Sequence, residues 1–361
     1  MNISIIILTF NEERHIRRCI ESVQPLEADV FVVDSFSTDK TLEIARDLGA
    51  RVYQNKWEGL YSRQFNWALT HLPIKSEWVL RLDADEYLCP DLVQEILTKL
   101  NALPADVTGV EFYLLHYFMG RVIRRGNPRI RMIRLFRFGK AQCEQRLMDE
   151  HMTLLEGRSV AFKGEFADHN LNDLSWWTQK HLGYAIREAA DMLDLEFGLF
   201  EQETGDGERG SVGSGQLAVG SGGGGAVGSG QLAPAVADRL WRGMVGSGKG
   251  FNAETQRRRG GSVGSREGQG AVLGEQAAAK RRMKLKYAKA PLFWRALVYF
   301  CMRYFVRGGF LEGKEGFMWH FFQGLWYRML VDAKIWEIKR ESGGDREKIL
   351  ALLRGKYGLK V

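Results

Sequence analysis

The chain has 361 residues, 45% hydrophobic and 26% charged, a composition that excludes a fibrous or wholly unstructured protein and leaves room for more than one folded unit. Its formal charge of +7 suits anionic partners, whether lipid, phosphorylated substrate or nucleic acid. The four cysteines, at 19, 89, 143 and 301, have no metal-ligand spacing and point to a reducing compartment.

Ile3 to Leu8 is a continuous apolar run with neither a basic start nor a small-residue cleavage site, so it predicts a buried strand and not a signal peptide. Glu12 to Val23 predicts a helix with Ile16, Cys19, Ile20 and Val23 on one face. Val30 to Asp34, Thr38 to Leu48 with Thr38 as cap, and Arg51 to Gln54 then predict strand, helix and strand, the alternation of a parallel sheet. No Gly-x-Gly-x-x-Gly follows the first strand, which speaks against a dinucleotide site and a P-loop.

Trp78 to Leu82 predicts a fourth strand, and its end delivers Asp83, Ala84, Asp85 and Glu86. Carboxylates two residues apart on a strand point the same way, so Asp83 and Asp85 suit one divalent cation, with Glu86 pointing elsewhere; a plain turn into a helix at Pro90 is the alternative. Val110–Tyr117 and Arg131–Phe138 predict two more strands. The second interleaves Arg131, Arg134 and Arg137 with apolar residues, as either a basic edge or a wall facing phosphate or acceptor. Trp176 to Phe200 predicts an amphipathic helix with Trp177, Leu182, Ala185, Ile186, Ala189, Met192 and Leu193 as its stripe. From about Gly205 to Gly274 the chain is Gly/Ser-rich and repeats Val-Gly-Ser-Gly-Gln-Leu-Ala at 212 and 227, the composition of flexible coil. Beyond it, basic residues at 280–289 lead into aromatic segments, 291–306 and 317–338, broken too often by charge to span a bilayer. They suit either a helix in the headgroup region of an anionic membrane or a helical pair packed on the rest of the chain.

Thr9-Phe10-Asn11-Glu12, Asp34-Ser35-Phe36-Ser37-Thr38-Asp39, Arg63 to Asn66 and Asp83-Ala84-Asp85, in that order and spacing, resemble the family 2 inverting glycosyltransferases of the GT-A fold. Within that family they look most like the lipopolysaccharide-core β-1,4-glucosyltransferase branch. The resemblance covers the first half of the chain strongly and the C-terminal helices more loosely. It implies an α/β, Rossmann-like nucleotide-sugar-binding domain. Together with the composition it divides the chain into a catalytic domain over 1–175, a helical segment over 176–204, a disordered low-complexity insertion over 205–275 and a helical, membrane-associated arm over 276–361.

The resemblance further implies that Thr9, Asn11, Glu12, Asp34, Ser35, Arg63 and Asp83 line the nucleotide-sugar pocket. Asp85 and Asp83, joined by His169, would hold Mg²⁺ or Mn²⁺ at the diphosphate, and the base would be Glu150, with Asp149 as the alternative. The expected reaction moves a hexose, glucose by the branch resembled, from a UDP-sugar to a hydroxyl of an envelope glycan such as lipopolysaccharide core or an exopolysaccharide precursor. The expected place is cytoplasmic and peripheral at the inner face of the membrane, with a free or lipid-linked glycan acceptor and no nucleic acid. A degenerate glycan- or nucleotide-binding scaffold and a nucleotidyltransferase are the alternatives, the latter lacking its Gly-rich loop.

Overall fold

A computed structural model describes residues 2–127, 129–148, 150–200 and 283–359; the expected insertion at 205–275 and Asp149 lie outside the described residues. The first apolar run becomes β1 (Ile3–Thr9), buried along its whole length. It lies between β2 (Asp29–Asp34) and β4 (Trp78–Asp83), and β3 (Arg51–Gln54) continues the sheet beyond β2, all parallel. Such strands are apolar throughout because helices cover both faces. One of these is α1 (Ile16–Val23), which buries Ile16, Cys19, Ile20 and Val23. α2 (Thr41–Asp47) begins later than expected, and Thr38 is not its cap. Asp39 instead accepts from the Thr41 backbone N–H at 3.0 Å, while the Thr38 N–H donates to Asn11 Oδ1 at 2.8 Å, so the loop's polar groups serve the neighbouring loop before the helix.

Past β4 the sheet becomes mixed. In chain order come β5 (Glu86–Leu88), β6 (Val107–Phe118), β7 (Arg121–Val122), β8 (Arg131–Arg137), the small β9/β10 hairpin (Ala141–Cys143 and Met152–Leu154) and β11 (Arg158–Asp168). The main sheet runs β3-β2-β1-β4-β8-β6-β11-β5, with β7 paired to β6. The arginine-bearing strand is therefore not an edge: β8 sits antiparallel between β4 and β6. Helices α3 (Tyr61–His71) and α4 (Pro90–Lys99) cover the sheet. Gly164 allows α4 to approach β11, since a Cβ there would stand 2.5 Å from the Leu92 Cα.

α5 (Leu174–Phe197) starts at an Asp173 cap, whose carboxylate accepts from the Trp176 N–H at 2.8 Å, and ends at Gly198 with φ +59°. The expected stripe needs one correction. Leu182 is exposed, whereas Glu188 and Asp191 are buried, because the inward face also passes through these two positions. Their charges are met: Tyr327 and Arg328 reach Glu188 at 3.3 and 3.2 Å, and Arg146 and Lys284 reach Asp191 at 2.8 and 2.7 Å.

After a helical turn at 283–288 come α6 (Trp294–Cys301), α7 (Gly313–Trp319), α8 (Tyr327–Ser342) and α9 (Arg346–Gly355). α6 and α7 each run on into a widened π-helical stretch, Met302–Val306 and His320–Trp326. α8 lies along α5. Among the described residues no helix is long and apolar enough to cross a membrane.

Asp332 on α8 explains how a carboxylate survives in this packing. It is fully buried and accepts from Arg295 Nε at 2.8 Å and from the Phe293 N–H at 2.7 Å, while Arg295 also donates to the Tyr287 and Ala288 carbonyls. Removing one member of such a pair strands a buried charge, so Asp332→Ala should lose about 3–5 kcal/mol in urea unfolding, against less than about 0.5 kcal/mol for exposed Glu347→Ala. Equal effects would show that the pair does not hold the arm.

Two histidines give the fold a pH dependence. Burial pushes His181 down to about 4, and burial with the Arg303 charge does the same to His320. The unfolded chain, with histidines near the ordinary 6.5, then binds more protons than the native state between these values. Stability should fall as pH drops from 6.5 towards 4. His181→Phe should flatten part of that decline in denaturant melts at about pH 7 and about pH 5; an unchanged slope would place the effect elsewhere.

Candidate active site

The carboxyl ends of β1, β2 and β4 meet at one edge of the sheet, where open α/β sheets bind ligands. Asp34, at the end of β2, is fully buried, and its carboxylate receives four donors: Thr9 Oγ1 at 3.1 Å, the Ser37 N–H at 2.9 Å, Ser37 Oγ at 2.5 Å and Gln54 Nε2 at 3.2 Å. Four donors fill the capacity of a carboxylate. Asp34 therefore ties together the loops after β1, β2 and β3, and Thr9 faces it, not solvent.

The loops it organises carry the other expected pocket residues. Asn11, at φ +55°, accepts from the Thr38 N–H, and its own N–H donates to Ser37 Oγ at 2.8 Å. Phe36, half exposed at φ +65°, is a strained position of the kind that collects at functional sites. Ser35 Oγ accepts from Gln64 Nε2 at 3.1 Å. Asn66 on the same helix makes a two-bond contact with the Cys143 backbone, so Gln64 and Asn66 brace the site. Arg63 points to solvent, 3.7 Å from the exposed carboxylate of Glu58. Glu12 is fixed by His15: the Leu171 N–H donates to His15 Nε2 at 2.8 Å, which leaves the proton on Nδ1, 2.6 Å from the Glu12 carboxylate.

Asp83 ends β4, and Ala84-Asp85 is a turn, so the two acids do not share a strand face. Glu86 does not point away. Its carboxylate folds back to accept the Asp83 N–H at 2.9 Å and pairs with buried Arg134. Asp83 lies between two buried guanidiniums, 3.8 Å from Arg81 and 3.9 Å from Arg134, yet its Oδ1 is buried and receives no hydrogen bond. Asp85 accepts from Asn170 Nδ2 at 3.0 Å. Burial and then the charge of Asp168 raise its carboxyl to about 6.

Beside them, Asp168 holds His116 Nδ1 at 3.2 Å, and the His116 ring lies 4.1 Å from that of Trp319 on α7. His169 stacks on Tyr117 at 4.1 Å, and Arg18 donates to its Nδ1 at 3.0 Å and to its carbonyl at 2.5 Å. Glu150 is half buried on the loop between β9 and β10, which Glu144 and His151 close with a 3.1 Å contact. Burial opposes the Arg81 charge, but the negative charges of Asp83, Cys143, Glu86 and, least of these, Glu150 more than offset it.

Sequence reasoning missed three groups that face this cluster. Burial and then the charges of Tyr184, Asp83, Asp85 and Glu12 push the Tyr61 hydroxyl well up. Burial works against the Lys180 charge, yet Tyr184, Asp85 and Glu12 hold its pKa above the usual value. Lys180 and Tyr184 are one turn apart on α5, and only the fold brings that helix over the acids.

A hard divalent cation suits these donors. Among the described residues no three His, Cys, Asp or Glu side chains converge as a ready-made metal cage. The unpartnered oxygen of Asp83 and the carboxylate of Asp85 fit the other common arrangement, in which one or two carboxylates share Mg²⁺ with the phosphates of a bound nucleotide.

Residues 4–154 match the family model described as glycosyl transferase family 2. An uncharacterized glycosyltransferase of Rickettsia bellii is 47% identical over 94 residues, 26% of this chain and 31% of that protein. The lipopolysaccharide core biosynthesis glycosyltransferase LpsC of Rhizobium meliloti is 33% identical over 148 residues, 39% of this chain and 53% of its own length. This chain thus spans about a third to a half of these relatives. Among solved structures, TarS 1-349 of S. aureus in complex with UDP is 26% identical over 35% of this chain and 39% of its own, with a TM-score of 0.27. The mixed sheet, its carboxyl-edge acids and the family match together identify residues 4–154 as a family 2 glycosyltransferase domain of the GT-A fold.

Proposed function

We propose that the chain is an inverting hexosyltransferase that uses a UDP-sugar and glycosylates a hydroxyl of a bacterial envelope glycan, of the lipopolysaccharide-core or exopolysaccharide kind, or of its lipid-linked precursor. The observation that carries this reading is Asp83, a carboxylate held at the carboxyl edge of the sheet with one buried oxygen left without a donor. The named activity of the Rhizobium meliloti relative supports the class of acceptor.

In this reading the acceptor oxygen attacks the anomeric carbon from the side opposite the diphosphate. A carbon–oxygen bond forms as the bond to the diphosphate breaks, and that bonding pair leaves on the diphosphate. Glu150, with Asp149 as the alternative, takes the proton of the attacking hydroxyl. Asp83 and Asp85 are the residues that would hold Mg²⁺ or Mn²⁺. When bound, the cation supplies Lewis-acid stabilisation of the leaving charge. Lys180 adds a fixed positive charge on the same side. Thr9, Asn11, Glu12, Asp34 and Ser35 shape the nucleoside end, with Asp34 ordering its loops. Exposed Arg63 contributes at most to attracting the anionic donor. The enzyme works in the cytoplasm at the inner face of the membrane, where such acceptors are assembled.

His169 takes a different role here from the metal ligation expected of it. Arg18 has only donors, so the Nδ1 it contacts is the acceptor and the neutral ring carries its proton on Nε2. A ring in that state offers a diphosphate oxygen an N–H. Burial, and after it the Arg18 charge, lowers its pKa below 6.5 and keeps it neutral at about pH 7. In Arg18→Gln the His169 pKa should rise towards 6.5 in an NMR titration; an unmoved value would sink the tautomer assignment.

The functional reading is tested by calorimetric titration of UDP, GDP and CDP with and without Mn²⁺. UDP should bind in a metal-dependent manner, and Asp85→Ala should weaken it at least about tenfold, roughly 1.4 kcal/mol. Glu150→Gln should bind UDP normally and lose about 10²–10⁴-fold in turnover. Failure of all three nucleotides to bind a folded protein would overturn the assignment.

A further inference from the structure

The large apolar residues of the C-terminal helices include a buried set and an exposed set. Trp319 and Tyr327 are buried, Trp319 packing against Trp177 of α5. The other set is turned outward around the junction of the two helical stretches. Trp294 is 59% exposed, Phe305 58%, Val306 64%, Phe310 50%, Leu311 54% and Phe317 43%. Four of these six fall within the seven residues 305–311, around a turn that Gly308 makes at φ +70°.

Exposed rings of this set form a cluster centred on Tyr304. Phe305, Phe310 and Phe317 all contact the Tyr304 ring, at 5.1, 6.4 and 5.7 Å between centroids, and Phe300 stacks on it at 5.5 Å. Soluble surfaces rarely keep so much contiguous apolar area unless something covers it.

The charges around it favour one kind of occupant. Residues 283–317 contain two acids, and neither faces outward unpaired. Glu312 is buried and caps the Arg124 and Arg125 N–H groups at 3.2 and 2.7 Å, and Glu315 meets Arg121 at 3.3 Å. By contrast Arg307, within the turn, and Lys314, just beyond it, are exposed and form no salt bridge among the described residues. An apolar tip with aromatic flanks and unpaired cations at its margin complements an anionic bilayer: the rings enter the acyl boundary and the cations meet the headgroups.

We propose that the 305–311 turn, with the Tyr304-centred aromatic patch, is a wedge that inserts into the interfacial region of an anionic membrane. The contact is peripheral, in keeping with the lack of a spanning helix among the described residues. The turn is anchored to the catalytic domain, since the Gly126 N–H donates to the Arg307 carbonyl at 3.2 Å. From Gly313, just beyond the turn, α7 carries the chain to Trp319, whose ring lies against His116 of the Asp168 pair. The wedge thus brings the His116 wall of the cleft towards the membrane surface, where a lipid-borne hydroxyl would enter. That last placement rests on the glycosyltransferase reading; the lipid contact does not.

The test is flotation of the full chain with vesicles of phosphatidylcholine alone and with phosphatidylglycerol added, at low and high salt. The wild type should float with the anionic vesicles and be released by salt, as screening over about 10 Å at 0.1 M requires. Replacing Phe305, Val306, Phe310 and Leu311 together by serine should cut binding at least tenfold, with an unchanged thermal melt. Arg307→Glu with Lys314→Glu should do the same through charge alone, and Leu195→Ser with Trp336→Ser, two exposed apolar sites elsewhere, should not. A wild type that ignores anionic vesicles, or a serine variant that floats as well as the wild type, would overturn the proposal. So would a wild-type dimer that the serine variant dissolves, since a second copy would then cover the patch. UDP titration of the same proteins separates the two ideas: vesicle binding without nucleotide binding would strike the functional reading and leave the wedge standing.

Discussion

A carboxylate at the rim of a buried sheet needs positive charge close by, and the architecture follows from how that charge reaches Asp83. Arg81 comes from the same strand, two residues earlier. Arg134 comes from β8, which lies antiparallel beside β4 with Leu80 opposite Leu135. Glu86 then balances Arg134 and ties the turn back on the Asp83 backbone. The arrangement has two guanidiniums for two carboxylates and leaves one Asp83 oxygen without a donor. Desolvating these charges is costly unless each is paired, so β8 must lie in the interior of the sheet for β4 to end as it does.

A second layer of constraint comes from outside the sheet. α5 lays Lys180 and Tyr184 over the acids, and its own position is fixed lower down by the buried network of Glu188 and Asp191 with Arg328, Lys284 and Arg146. Arg146 belongs to the loop that carries Glu150, so one network joins the helix above the cleft, the candidate base loop and the C-terminal helices. The arm is thus part of the site's scaffolding as well as a surface of its own.

Much of the donor half was legible in the sequence because it is local. Buried parallel strands are apolar throughout, so β1, β2 and β4 declare themselves, and the residues that follow each strand must lie at the carboxyl edge. The inward face of α1 was equally plain from its spacing. The failures were failures of long-range information. Strand alternation extended past Asp83 predicts that Glu86 points away, but the chain turns there. Edge and centre strands differ only by what pairs on the far side, here β6, so spacing alone does not place the arginines of β8. Leu182 and Glu188 exchanged their expected places on α5 because a buried acid becomes tolerable only once Tyr327 and Arg328, far along the chain, arrive to meet it.

This division has a functional consequence. The groups assigned to the donor sit on strand ends and adjoining loops, where spacing alone fixes their neighbourhood, and these are the residues through which the family is recognised. The cleft's other wall is assembled from His116, Asp168, α5 and Trp319, brought together from β6, β11 and two helices distant in sequence. Each contact there depends on several others, so substitutions can reshape that wall without touching the strand-end motifs. If the proposed reaction holds, the acceptor would be met by this second wall, the half of the site that the strand-end motifs do not describe.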